Sequence, residues 1–534
     1  TARTTQLSAG NNLTILATEG STTSQGTQMS AEGDALLLAK QHIDLDVAHN
    51  TESQSDTSTR SGWQVATNRR MPVGVHNQNA DGNGVTDTIT GTQISAGGDV
   101  TLATQEGDIT LTAAQVVAEN DVNIAAARNL TIQSGQDTAS NANRRDDKAI
   151  GSVVISDTER FVGYHAEKDN SRNASVTQVA SNVGSLSGNV NLTAGETYTQ
   201  TASNVVAAND VNITAKQIEL LTANDINSEH QDSRDTKIGV FGRVYSPIID
   251  LVNNAEAART SDGRLATMQG MAAAANAYQA ASATSSMAGG PGGGALLGAE
   301  AGIGFAQGKS EYDAASSTAV GSNISGGRNV TLTSTEGDIH AVQASIKAGD
   351  TLTLDSADDI LLEAGRSQYS SEGASSNVGA EVGVGVSVGA QTGVYAYAQV
   401  SAGSSRSQSD ATYYGNTHLA GDTITLRSQG DTTLRGADAR ANTINAEVGG
   451  ALTIESVQDT VTESSKDSGF DARVQVSFGT AWSASANASS AQAGGSYAAV
   501  NQQSGLFAGD GGYHVNADSV NLVGGAITST NAAS

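Results

Sequence analysis

Residues 94–103 read ISAGGDVTLA, a small-residue turn followed by a short strand in which apolar and polar side chains alternate. Alternation at period two sends the two sets to opposite faces, so Val100 and Leu102 share one face and Thr101 lies on the other. The phrase returns as LSAGNNLTIL from Leu7, LSGNVNLTA from Leu186, ISGGRNVTLT from Ile324 and LAGDTITLR from Leu419. Gly-Asp, Gly-Asn and Asn-Asp pairs separate the runs, as turn residues should.

The spacing of the strands decides what they build. Val100, Ile109, Val122 and Leu130 are separated by 9, 13 and 8 residues, and Val330, Ile339, Leu352 and Ile360 by 9, 13 and 8 again. Equivalent positions therefore return after 22 or 21 residues. In a third module, Ile424, Thr432, Ile444 and Leu452 return after 20, and Leu13, Ala35 and Ile43 keep the 22-then-8 rhythm. Two or three short strands returning in register describe one turn of a solenoid whose backbone hydrogen bonds run between coils about 4.8 Å apart. The Leu-x-x-Leu-x-Leu pattern of leucine-rich repeats is missing, as is the tandem Gly-Gly-x-Gly-x-Asp of calcium-binding β-rolls. An antiparallel sandwich also suits short strands between turns.

Composition agrees with a thin core. Of 534 residues, 60 are Gly, 3 Pro and none Cys, with 4% aromatic and 16% charged. Ala, Val, Leu and Ile supply the apolar content. The net charge of −27, from 28 basic and 55 acidic residues, makes nucleic acid a poor partner, because phosphate binding relies on clustered Lys and Arg. Without Cys there are no disulfides or thiolate metal sites.

The repeat divides the chain into two-coil modules near 7–50, 92–137, 184–227, 322–367 and 418–460, with a partial one at 513–528. Insertions fall near 51–91, 138–183, 228–321, 368–417 and 461–512. All three prolines (Pro72, Pro247, Pro291), both Trp and all six Phe lie outside the five full modules, and Tyr198 is the one tyrosine inside them. The coils read as scaffold, and the insertions carry what is chemically distinctive. No secretory signal stands at Thr1 to Gly20, and the last residues are repeat-like, so the chain reads as a fragment.

Two C-terminal stretches, TINAEVGGALTIESVQDT (443–460) and QQSGLFAGDGGYHVNADSVNLVGGAITST (502–530), join the recurrent SAGxxvtL phrase in a specific likeness. The chain closely resembles the second haemagglutinin-repeat region of contact-dependent growth inhibition exoproteins, two-partner-secretion proteins related to filamentous haemagglutinin. The resemblance covers essentially the whole chain. It implies a right-handed parallel β-helix outside a Gram-negative cell, in a region that follows the receptor-binding portion and precedes a toxin. That region is associated with carrying the toxin across the target cell's outer membrane. The resemblance also implies an outer-membrane secretion partner, met through an N-terminal domain this sequence lacks, and a toxin domain C-terminal to it. The family's Val-Glu-Asn-Asn junction is absent, so toxicity is not expected of this piece.

Among the insertions, residues 380–402 have the sharpest pattern. Val382, Val384, Val386, Val388, Val394 and Val400 share one parity with Ala380, Ala390, Ala396, Ala398 and Ala402. Glu381, Gly383, Gly385, Ser387, Gly389, Tyr395, Tyr397 and Gln399 occupy the other. This is a two-faced strand or a hairpin turning near Gln391 to Gly393, and Phe470, Val474, Val476 and Phe478 repeat the design. Two readings are open: the Val face lies on the flank of the solenoid, or it faces a membrane at some stage, since membrane β-strands need about 9–11 alternating residues. Residues 263–287 predict a helix with Leu265, Met268, Met271, Ala275 and Tyr278 on one stripe and Asp262 as cap. Residues 289–306 read as a flexible glycine-rich linker, with small-xxx-small spacing at Gly294, Gly298 and Gly302 as the membrane-helix alternative.

Catalysis finds no foothold. The eight His are scattered without metal-ligand spacing, and no catalytic, cofactor or metal site is expected. Asp358-Asp359 and Asp146-Asp147 resemble carboxylate pairs of β-helix polysaccharide enzymes, but neighbours on a strand point to opposite faces, so surface or turn roles are expected of both pairs. Arg69-Arg70 and Arg144-Arg145 read as solvated hairpin ends. Three functions follow: a non-enzymatic delivery segment of a growth-inhibition exoprotein, an adhesin stalk, and, more remotely, a carbohydrate-active enzyme that would need clustered carboxylates in a groove.

Overall fold

The computed structural model describes residues 4–65, 73–154, 159–245, 295–389, 393–477 and 482–531. Each coil carries three sides. One coil runs through Gln93–Ala96, Val100–Thr104 and Ile109–Thr112, and the next through Gln115–Ala118, Val122–Ala126 and Leu130–Gln133. Their pairing is parallel and in register, with Ile94 on Val116, Val100 on Val122 and Ile109 on Leu130. The first two sides belong to a twenty-stranded sheet, and the third forms an eleven-stranded one with a strand from each of eleven coils. The fold is a parallel β-helix, and the parallel ladders dispose of the sandwich.

Its core is a set of columns. Val211, Val330, Leu352, Ile424 and Ile444 stack in turn, as do Ile213, Leu332, Leu354 and Leu426 beside them, and all are fully buried. Burying such a side chain is worth about 1.5–3 kcal/mol. Tyr198 takes one place in the third side, where its hydroxyl donates to the buried Gln200 Oε1 at 2.9 Å.

The Asn and Asp of the turns make a second, polar column. The Asp99 amide donates to Asp34 Oδ1 at 2.9 Å, Asp121 to Asp99 at 3.0 Å, Asn189 to Asp121 at 2.7 Å and Asn329 to Asp210 at 3.1 Å. Each short side chain satisfies a turn amide on the adjacent coil, which explains why these residue types punctuate the repeat. Burial works to raise the Asp210 carboxyl, but the Asn329 amide and the Arg328 guanidinium hold it below its usual value.

A pH-sensitive contact joins two later coils. His418 Nδ1 lies 2.7 Å from Asp438 Oδ1, and Arg440 Nε donates to Asp438 Oδ2 at 2.8 Å. The hydrogen bond to Asp438 raises the imidazole pKa against the opposing effect of burial. Burial works to raise Asp438, yet His418 and Arg440 hold it lower. Because His418 is raised in the folded state, its stabilisation is complete below the ordinary value of 6.5 and fades as pH rises through the folded pKa. His418→Asn is therefore expected to cost stability at pH 5.5 and almost none at pH 9, read from denaturation midpoints. An equal cost at both values would contradict the assignment.

After every second coil the chain leaves the same corner as a long antiparallel hairpin. The five hairpins are Ala48–Val65 with Val73–Thr90, Gly135–Val154 with Glu159–Val179, Ala223–Tyr245 with Ala295–Val320, Gly365–Gly389 with Gly393–Gly415, and Asp459–Ser477 with Trp482–Ala499. Two coils rise about 9.6 Å, the width of a two-stranded hairpin, so successive hairpins meet at pairing distance. They join edge to edge into one ten-stranded antiparallel sheet.

Several expectations change here. The described residues contain no helix, and the helix expected at 263–287 lies outside them. Residues 295–306 are not a linker: they belong to the strand Ala295–Val320, so Gly298 and Gly302 sit in a β-ladder rather than on a membrane helix. Arg144 and Arg145 are mid-strand in the second hairpin, with Arg145 Nη2 2.8 Å from Asp147 Oδ2. Asp146 and Asp147 are mid-strand as well, while Asp358 and Asp359 occupy a turn between Thr351–Ser356 and Ile360–Glu363, one of the two roles expected of them. The carboxylates of Asp338, Asp358 and Asp359 come within 4.8 Å of one another. Two of them serve the turn ladder, Asp338 accepting from the Asp359 amide at 3.1 Å and Asp359 from the Asp431 amide at 2.6 Å.

Candidate functional site: the two faces of the hairpin sheet

Ladder register alone builds an apolar face on this sheet. One cross-strand row runs Trp63, Val75, Ile150, Tyr164, Ile238, Phe305, Ala380, Val400, Ala472 and Ala486, crossing all ten strands without a charge or a polar side chain except the tyrosine hydroxyl. Two residues further from the solenoid, Ser152, Val162, Val240, Ile303, Val382, Ala398, Val474 and Ala484 make the next row. Beyond it come Ala301, Val384, Ala396, Val476 and Trp482, then Val244, Ala299, Val386 and Val394.

These side chains are open to solvent. Val382, Val384 and Val386 are 60%, 56% and 52% exposed, and Val394, Val400, Phe470, Val474 and Val476 are exposed as well. The Val face of the fourth hairpin does not lie on the solenoid flank, because its strands are held in the hairpin sheet. Of Val388 the structure describes the backbone alone, and Phe478 lies outside the described residues. From Ala380 to Val386, the four rows cover about 20 Å along the strand. Contiguous exposed apolar area on this scale marks an interaction surface.

The opposite face is concave. A row of glycines, Gly74, Gly151, Gly163, Gly239 and Gly304, crosses five strands. A Cβ at Gly163 would sit 2.3 Å from the Ile238 carbonyl oxygen, and one at Gly304 would sit 2.2 Å from that of Ala380. Only glycine permits the neighbouring backbones to close in on this side. Next to that row Phe161 and Phe241 pack at 5.0 Å between ring centres, both buried.

Further out, the concave face holds paired charges. Tyr395 Oη donates to Glu300 Oε1 at 2.7 Å, Arg473 binds the same carboxylate through both terminal nitrogens, and Tyr397 Oη donates to Glu381. Arg243 reaches Glu381 at 3.5 Å and Glu300 at 3.9 Å. Glu300 and Arg473 belong to strands three places apart in the sheet order, about 14 Å if the sheet were flat. Their contact therefore requires curvature. Two Glu and two Arg balance in charge, and Arg473 stacks 4.4 Å over the Tyr397 ring.

The alternating valines mark this face in the sequence of the fourth and fifth hairpins, but not in the other three. Its signal was present as apolar-Gly triplets: Val73-Gly74-Val75, Ile150-Gly151-Ser152, Val162-Gly163-Tyr164, Ile238-Gly239-Val240 and Ile303-Gly304-Phe305. Glu300 and Arg473 are 173 residues apart and nothing local joins them.

The hemagglutinin repeat pattern matches residues 1–151, 162–293 and 303–470, more than half of the chain. The chain belongs to the hemagglutinin-repeat family. Among curated relatives of this repeat chain, Toxin CdiA of Yersinia pestis is 28% identical over 83% of the chain and 14% of its own length. The tRNA nuclease CdiA of an Escherichia coli strain is 30% identical over 80% of the chain and 14% of itself. The Deoxyribonuclease CdiA of Dickeya dadantii is 28% identical over 94% and 15%. The hemagglutinin-repeat chain thus spans about one seventh of the length of these relatives. No solved structure matches it.

Proposed function

We propose that this chain is the haemagglutinin-repeat segment of a contact-dependent growth inhibition exoprotein, secreted to the surface of a Gram-negative cell. Its hairpin sheet helps carry an attached toxin across the target cell's outer membrane, and the segment itself performs no catalysis. Relatives named as toxins and nucleases support the first part. Since the chain covers about a seventh of them, any nuclease activity is assigned to other parts of such an exoprotein.

The observation that carries the second part is the exposed apolar face across all ten strands, backed by a concave face on which Glu300 and Glu381 pair with Arg243 and Arg473. Its height of about 20 Å falls somewhat short of the roughly 25 Å apolar band of membrane barrels, and intramembrane charges are tolerated when paired. Unpaired strand edges are costly in hydrocarbon. The edge strands Ala48–Val65 and Trp482–Ala499 therefore gain partners or cover during insertion.

Val384→Asp with Val386→Asp tests the role, because a charge facing lipid costs about 2–4 kcal/mol near the midplane, with Asp toward the lower end. Delivery by an exoprotein carrying both changes is expected to fall at least tenfold, with secretion and target binding intact. Gly383 is unsuitable for a matched control, since a Cβ there would meet the Ala301 oxygen at 2.5 Å. Asn83→Asp with Ser464→Asp, on the outward face nearer the solenoid, should deliver normally. Undiminished delivery by the valine variant would rule out a membrane-facing role for this face.

A further inference from the structure

Just below the apolar rows, the outward face changes character. Lys148 stands next to Ile150 in the same parity, and one row lower Lys168, Arg234 and Lys309 are direct cross-strand partners on three adjacent strands. Like charges directly opposite one another destabilise a sheet. The arrangement is the more unusual in a chain of net charge −27. Neither Lys168 nor Arg234 has an ion-pair partner among the described residues. Lys309 lies 3.2 Å from Glu311 of its own strand, and Asp146, opposite Lys168 in register, is 3.7 Å from Lys148 instead. The two apolar rows described first carry no charge, and the triplet borders them on the solenoid side, while Arg160 lies on the same face one row further out, opposite Gly242. Trp63 and Tyr164 stand in the last apolar row, where aromatic residues border a membrane interface.

We propose that Lys168, Arg234 and Lys309 form a headgroup strip that binds lipid phosphates and sets how deep the sheet enters a bilayer. The inference rests on the membrane reading above and names its partner as a phosphate-rich anionic leaflet. The row lies about 13 Å along the strands from Tyr164, Ile238 and Phe305. Long Lys and Arg side chains reach part of that distance while their apolar stems stay on the sheet, which matches the width of an interfacial layer. An anionic surface would also relieve the repulsion within the triplet.

The test uses the full chain and vesicles of two compositions, neutral phosphatidylcholine and phosphatidylcholine with phosphatidylglycerol, in flotation at low salt. The wild type is expected to bind the anionic vesicles more tightly, and Lys168→Ser/Arg234→Ser/Lys309→Ser to lose about 100-fold there, at roughly tenfold or less per cation near a charged surface. Binding to neutral vesicles should stay unchanged, and removing the mutual repulsion should leave the melting temperature equal or higher. Lys40→Ser/Arg128→Ser/Lys347→Ser changes net charge equally on the coils and should bind like wild type. Equal losses in both triple variants would reduce the effect to net charge and overturn the strip. Equal wild-type affinity for the two vesicle types would overturn it too while leaving the membrane reading standing. Binding to neither type would remove the membrane reading, and the strip with it.

Discussion

Leu332→Asp is expected to destabilise the solenoid by about 4 kcal/mol or more. Leu332 is fully buried, between Ile213 on one coil and Leu354 on the next, and the inward face of these coils offers a carboxylate no cation. The substitution removes the transfer free energy of an isobutyl group and adds an unpaired charge or the cost of protonating it. Because a solenoid coil contacts chiefly its neighbours, the loss should concentrate around that coil and propagate by nearest-neighbour coupling. Thr331→Asp, next along the strand and facing out, should stay within about 0.5 kcal/mol. Denaturant midpoints followed by circular dichroism separate the two, and similar midpoints would show that the inward and outward assignments are wrong.

Arg473→Ala is expected to cost about 3–5 kcal/mol, felt in the hairpin sheet and not in the coils. It strands Glu300, whose side chain is only 2% exposed, and removes a cation that holds it through two nitrogens. Arg243, at 3.9 Å, compensates in part. Hydrogen exchange should quicken along Ala295–Val320, Gly393–Gly415 and Asp459–Ser477 and stay slow at Val330–Ser334. Replacing Glu300 and Arg473 together by Met should recover much of the loss, because an apolar pair leaves no charge uncompensated. If exchange in the three hairpin strands does not change, the ion pair does not hold the curvature.

The coils were legible because their information is local. Val100 and Val122 stack because 22 residues make one turn, and that interval can be counted without knowing what else the chain does. Strand alternation supplied the inward set, and the turn Asn and Asp gave the corners. Proline and aromatic placement separated insertions from scaffold. The candidate site was legible in part: the one-parity valines of the fourth hairpin announced a two-faced strand, and the glycine on the other parity was visible without its reason. The Gly-rich run at 295–306 misled because flexibility and close strand approach both favour glycine, and only a paired neighbour distinguishes them.

By itself, then, the amino-acid order determined a parallel solenoid, its period and the faces of its strands, since each depends on residues within one turn of one another. Tertiary structure decided that five insertions are one sheet. That follows from two lengths, the rise of two coils and the width of two strands, which are equal only because both are set by the same interstrand hydrogen bond. Once the hairpins are locked side by side, Ile150, Tyr164, Ile238 and Phe305 become one surface, and Glu300 meets Arg473. No window of sequence holds those residues together. The solenoid does, by fixing where each hairpin starts.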